Sequence, residues 1–263
     1  MYKYIDIHSH LNLSQFDADR DAVIAKMKEE EVATITVGTD FSTSKIAIEL
    51  AKQHENLFAC IGVHPTDVMT EVFDYEKMRE LAQHPKVVAI GECGLDYYRG
   101  ATDADKIRQK VLFEAHIKLA REVEKPLMIH ARPSKGSMDA YSDALDILEK
   151  YKQEGVKIHA NFHFFVGDMS IAKRALVLGA TMSFDGPITF GRDYDEVIKI
   201  LPLESIMAET DAPFASPEPY RGKRCEPWMV SEVVKKIAEI KEIPFEVVSK
   251  KLVNNARNFF DIE

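Results

Sequence analysis

Eight short apolar runs rich in β-branched residues alternate with amphipathic segments along nearly the whole chain, and this alternation restricts the fold more than any other feature. The runs lie near Tyr4–Ile7, Thr34–Val37, Phe58–Gly62, Val87–Gly91, Leu127–His130, Lys157–Phe162, Ala180–Phe184 and Ser205–Ala208. Between them come helix-period segments such as Asp19–Glu30, Ser42–His54, Lys106–Glu124 and Asp139–Glu154. In the third, Leu112, Ala115, His116, Leu119 and Val123 recur at three- and four-residue steps. Strand then helix, eight times over, has one economical closed solution, an α/β fold of the (β/α)8 TIM-barrel type, and 263 residues suit its usual size of about 250. A doubly wound open sheet would want a glycine-rich phosphate turn after an early strand, and none is present. No linker, internal repeat or low-complexity stretch divides the chain, so residues 1–263 are expected to form a single domain.

Hydrophobic residues at 46% and charged residues at 29% are ordinary for a globular protein and exclude disordered, collagen-like and coiled-coil classes. The longest apolar stretches are short, such as residues 87–90, far below the roughly 20 needed to cross a bilayer, and MYKYIDIHSH has no signal-peptide core. A cytoplasmic protein with no membrane partner is expected. Cys60, Cys93 and Cys225 are an odd count with no C-x-x-C pair, which argues for reduced thiols. Against 34 basic residues stand 43 acidic ones, and a net charge of −9 disfavours coating duplex nucleic acid. Such a protein can still act on phosphates if bound cations invert the local field.

The residues that bind cations are not evenly placed. His8, His10, His64, His130 and His163 sit at or just past the C-terminal ends of proposed strands, as do Glu92 and Asp211. In a barrel those ends converge on one mouth. His8 and His10 are two apart, so both imidazoles leave the strand on one face and can approach one ion. Imidazole plus carboxylate suits zinc, manganese or iron better than a magnesium-only site. His8, His10, Glu92, His130, His163 and Asp211 are too many ligands for one catalytic ion that keeps an open position, so two divalent ions bridged by a carboxylate are expected. His54 and His84 lack a partner pattern and His116 falls inside an amphipathic helix, which assigns all three to structure. His159 shares a strand face with His163 but sits earlier, in a lower layer of side chains, and is left out of the site.

IDIHSHLN, IGVHP (61–65), AIGECGLDYY (89–98), PLMIHAR (126–132), HFFVG (163–167), ETDAP (209–213) with PYRGKRCEP (219–227), and NNARNFF (254–260) are specific multi-residue motifs spread nearly end to end. In their order and spacing the chain resembles the TatD family of metal-dependent deoxyribonucleases, a branch of the amidohydrolase-like barrels. The resemblance implies that His8 and His10 with Asp211 hold one metal, His130 and His163 the second, with Glu92 bridging and His64 in the pocket near the scissile group. Three places depart from the family pattern. The loop after Arg132 (PSKGSMDAYSDA) is longer, HFFVG carries Phe and Val where smaller or polar residues are usual, and His116 stands in place of a glutamine.

The implied activity is a divalent-metal-dependent hydrolase, a deoxyribonuclease acting from single-stranded or frayed DNA ends. Two ions (Mg, Mn or Zn) would activate a metal-bridged hydroxide for in-line attack at phosphorus, with Asp211 as general base and Glu92 the shared catalytic ligand. Arg132, Arg221, Lys223 and Arg224 supply phosphate-binding charge; YRGKR alone reads first as a solvated loop, and its place after ETDAP on the eighth strand is what brings it to the mouth. Tyr97 and Tyr98 either stack on an unpaired base or belong to the core. DNA or RNA ends are the expected partners, with a monomeric chain and no obligate protein partner. The alternative is a dinuclear amidohydrolase-type enzyme cleaving a C–N or ester bond, a deaminase or aminoacyl-ester deacylase, since the same centre polarises carbonyls.

Overall fold

Parallel strands covered on both sides must be apolar on both faces, and here the first, second and fourth are buried at every position. The computed structural model describes residues 2–69 and 73–262; the outermost residues of the expected domain, 1 and 263, lie outside them. Eight strands form one parallel sheet in chain order: β1 (Tyr4–Ser9), β2 (Val32–Val37), β3 (Leu57–Ile61), β4 (Val87–Asp96), β5 (Leu127–Arg132), β6 (Ala160–Phe162), β7 (Thr181–Phe184) and β8 (Ile206–Ala208). Helices separate them, among them α1 (Arg20–Glu29), α2 (Phe41–Gln53), α3 (Tyr75–Ala82), α4 (Asp103–Glu122), α5 (Asp139–Gln153) and α6 (Met169–Leu178). The ring closes where Ser9 bridges Ala212, Asp211 N–H donates to the His8 carbonyl at 2.9 Å and His10 N–H to the Ala212 carbonyl at 2.7 Å. The expected barrel is therefore present, as a single domain. Cys60, Cys93 and Cys225 are free and buried, and no helix among the described residues is long and apolar enough to cross a membrane.

Two strand boundaries differ from the sequence expectation in ways that affect the site. β4 continues past Gly91 to Asp96, so Glu92 lies within the strand. Gly91 and Gly94 make this possible: at φ 153° and 132°, an added Cβ would stand 2.3 Å from the Met128 carbonyl oxygen and 2.1 Å from that of His130. Only glycines let β4 run this close against β5 on either side of Glu92. β6 begins at Ala160, three residues late, which leaves His159 ahead of the strand, away from the mouth, with its ring 4.2 Å from Phe259.

His116 is structural, as its helical position implied. Fully buried, it accepts the Val63 N–H at Nε2 (3.0 Å) and donates from Nδ1 to the Leu112 carbonyl (2.9 Å), tying α4 to the β3 exit. Burial pushes its pKa down to about 4. The neutral form is thus favoured in the fold, and the stability this contributes is present above the unfolded value of about 6.5 and lost as pH falls towards 4, about 3 kcal/mol in all. His116→Gln keeps an acceptor for Val63 but cannot titrate. Urea midpoints between pH 7 and 4 should fall less steeply in the variant, and equal slopes would refute this role.

Candidate metal centre

His8 in β1 and His10 just beyond it bring their Nε2 atoms to 3.2 Å. His10 Nδ1 donates to the Val37 carbonyl at 2.9 Å, which fixes the tautomer and leaves the Nε2 lone pair facing the cluster. Asp211 Oδ1 lies 3.6 and 3.4 Å from the two Nε2 atoms, and Glu92 Oε2 lies 3.5 and 3.7 Å from them. A tetrahedral ion with bonds of about 2.0–2.1 Å separates its ligand atoms by about 3.4 Å, so each imidazole stands at that spacing from the other and from both carboxylates. The other Glu92 oxygen, Oε1, faces a second set: His130 Nδ1 at 3.0 Å, His163 Nε2 at 3.0 Å and His64 Nε2 at 3.4 Å. Ring nitrogens converging in this way repel one another unless a cation or a shared proton stands between them. The donor set fits divalent ions held by nitrogen and oxygen.

The electrostatics point the same way. Burial alone would push the Glu92 carboxyl up, but His64, His163 and His130 around it hold it well below the usual carboxylate range. Asp211 is likewise lowered despite its burial, by His10 and His8. Burial favours neutral imidazoles, yet the carboxylates raise His163 well above its ordinary value and raise His130 and His10 as well. His8 is the exception, lowered by burial and by the stacked His163 ring 3.8 Å away. Lowered carboxylates among raised imidazoles mark a cluster whose negative charge calls for positive charge, which bound ions would supply.

All six expected ligands therefore meet at the barrel mouth. His64 joins them at the rim, its ring edge-on to His130 at 4.5 Å and its Nδ1 2.7 Å from Thr66 Oγ1. Arg132 and Tyr98 lie together beside the cluster, the guanidinium 4.0 Å from the ring centroid, and Arg221 packs on Phe190 at 3.8 Å in the loop that also carries Lys223. Two expectations are corrected. Tyr97 is 1% exposed and donates its hydroxyl to Asp143 at 2.9 Å, so it is core and out of reach of a base. Arg224 is committed to Asp19 (2.8 and 2.7 Å) and Glu226 (3.1 Å) and lies over Phe16, so it ties the β8 loop to the N-terminal segment and leaves no free fork for phosphate.

Four acidic residues of the mouth escaped the sequence reading. Asp96 Oδ2 lies 3.1 Å from His130 Nε2, and its Oδ1 accepts the Tyr98 N–H at 3.0 Å. Glu209 accepts from Phe164 N–H and Ser183 Oγ, both at 2.6 Å, and approaches His163 Nδ1 to 3.5 Å. Asp6 accepts from His8 N–H and from both Thr210 donors. Asp185, just past β7, is buried, and its Oδ2 has no hydrogen-bond partner. Three were within reach of the two-residue strand period already applied to His8 and His10: it leads back to Asp6, on from Glu92 to Asp96, and back from Asp211 to Glu209.

A closed (β/α)8 barrel with clustered imidazoles and carboxylates at the C-terminal mouth defines the class of metal-dependent hydrolases. The family model described as TatD related DNase matches residues 5–261. The chain is 40% identical to YabD of Bacillus subtilis (strain 168) over 263 residues, 98% of each chain. It is 32% identical to YcfH of Escherichia coli (strain K12) over 265 residues, 98% of this chain and 96% of that one. Both relatives are described as uncharacterized metal-dependent hydrolases. Among solved structures, YjjV, a TatD homologue of Escherichia coli K12, matches with a TM-score of 0.89 and 25% identity over 99% of each chain. The chain belongs to the TatD family and is a metal-dependent hydrolase.

Proposed function

We propose that this chain is a deoxyribonuclease that uses two divalent metal ions to release nucleotides from single-stranded or frayed ends. The observation that carries the reading is local charge. In a protein of net charge −9, Arg132 lines the metal cavity and Arg221 a pocket with Pro213, two residues past Asp211, and neither has a carboxylate within 4.0 Å among the described residues. Uncommitted guanidinium forks beside a metal centre suit phosphate oxygens. The family model's description as a DNase points the same way.

His8, His10 and Asp211 would hold one ion, His130 and His163 the other, and Glu92 would serve both. Bound there, the ions supply Lewis-acid polarisation and lower the pKa of water. Asp211 lines the cavity of about 260 Å³ with Glu92, His130, His163, Phe164 and Arg132. Its carboxylate is placed to take the proton of the attacking water. Asp96 orients His130 through the ring nitrogen that faces away from Glu92, and the Val37 carbonyl does so for His10. A concave mouth admits an unpaired end, while the acidic surface repels the long face of a duplex.

The test is a panel of end-labelled single strands, frayed and blunt duplexes, closed circular duplex, and ester and amide substrates, each with magnesium, manganese or zinc. Mononucleotides should appear from one end of single strands. Binding should weaken as salt rises, and replacing Arg132, Arg221 and Lys223 together by alanine should flatten the log–log slope by about 2, at roughly 0.7 per single-strand phosphate contact. Internal fragments from closed circles at a comparable rate, or turnover confined to esters or amides, would overturn the reading.

A further inference from the structure

Among the described residues, three aromatic rings are substantially exposed, Tyr98 at 50%, Phe190 at 40% and Phe214 at 49%, and all three follow the C-terminal ends of strands. Exposed rings gathered on one rim are a recognition feature rather than leftover core. Two of them carry a guanidinium on one face, Arg132 on Tyr98 at 4.0 Å and Arg221 on Phe190 at 3.8 Å. These two platforms stand apart around the mouth. The first follows β4 and β5 and borders a groove of about 560 Å³ that shares Arg132 and Val166 with the metal cavity. The second follows β7 and β8 and borders a pocket of about 290 Å³ that includes Pro213, two residues past Asp211. In the strand order the position between the two platforms is β6, and His163, which follows it, lies 3.0 Å from Glu92.

Each platform is held in place. The Tyr98 N–H is bound by Asp96, which also faces His130, and the neighbouring loop is pinned where Ser134 donates its N–H and hydroxyl to Asp139 at 2.9 and 2.8 Å. Phe190 donates its N–H to the Pro187 carbonyl at 3.2 Å. A ring beside a cation that has no carboxylate partner suits a nucleotide, whose base stacks and whose phosphate pairs.

Building on the phosphodiesterase reading above, we propose that the Tyr98–Arg132 and Phe190–Arg221 pairs are two base-stacking subsites, one on each side of the scissile phosphate. The enzyme then engages the terminal base and its neighbour together, both unpaired, so a strand end is productive only when two successive bases are free. Duplex ends are rejected because pairing holds the last two bases stacked on one another, so neither can splay out onto its own ring.

Short single-stranded hexanucleotides carrying an abasic residue at either the terminal or the penultimate position test this directly. In the parent protein each lesion should raise KM about 5- to 150-fold, the range of one lost stacking contact. Tyr98→Ala should erase the penalty at one position while keeping it at the other, and Phe190→Ala should do the reverse. Both rings are exposed, and Tyr98→Leu and Phe190→Leu, which keep an apolar side chain without a stacking face, stand in should an alanine variant fail to fold. A parent protein indifferent to both lesions, or two variants that erase the same one, would overturn the subsites. Hydrolysis of bis(p-nitrophenyl) phosphate, which has no base, reads the other question: turnover there with no base dependence defeats the subsites alone, while no turnover of any phosphodiester defeats the underlying reading as well.

Discussion

Glu92→Gln is expected to empty both halves of the metal cluster at once and to lower kcat/KM by on the order of 10³-fold, the equivalent of losing several kcal/mol of Lewis-acid stabilisation. Glu92 faces both sets, Oε1 within 3.4 Å of His64, His130 and His163, and Oε2 within 3.7 Å of His8 and His10. Neutralising it removes the shared negative charge at the centre while changing almost no volume. If the proposed pair of ions is bound, elemental analysis of dialysed protein should fall from two per chain in the parent to below one in the variant, and a variant that keeps the parent's metal content and full activity would sink the bridging role. The pH dependence of metal binding has a definite sign. His163, His130 and His10 have raised pKa values in the metal-free fold. Their protons stabilise the metal-free protein fully below about 6.5, and that contribution is lost as pH rises through the raised values. Metal entry must displace those protons, so affinity grows with pH. The gain in Tm on adding manganese should therefore be larger at pH 8 than at pH 6, and absent in Glu92→Gln.

Asp211→Asn should cost about 10² to 10⁴ in kcat, the usual contribution of a positioned base, with a smaller effect on metal content because the amide oxygen can still ligate. The backbone tolerates the change: Asp211 sits at φ 55°, a left-handed conformation that asparagine adopts as readily as aspartate. Despite burial, His10 and His8 hold its carboxyl below the ordinary range, so it stays ionised and ready to accept a proton well into acid. An acid limb of kcat near neutrality would then report histidine protonation rather than Asp211. Metal content and kcat measured side by side from pH 5 to 8 check this, and an asparagine variant with unchanged kcat would remove Asp211 from proton transfer.

The sequence by itself determined the barrel, the mouth and the six cluster residues, because each depends on short-range periodicity or on motif order. Alternating runs set eight parallel strands, and the two-residue spacing of His8 and His10 put two imidazoles on one face. Tertiary structure decided what those residues are joined to. The glycines at 91 and 94 let β4 reach Asp96 against β5, and this pairing with a strand some 35 residues away in sequence is what brings Asp96 to His130. Tyr97 and Tyr98 are neighbours in the chain, yet one hydroxyl is buried on Asp143 and the other ring is exposed beneath Arg132. Arg224 looked like its neighbours Arg221 and Lys223 until the fold delivered Asp19 from across 205 positions. Local pattern sets the direction in which a side chain leaves the backbone, whereas the partner of a charge or an aromatic face depends on which distant segments the closed barrel brings within a few ångströms, and no spacing in the sequence encodes that distance.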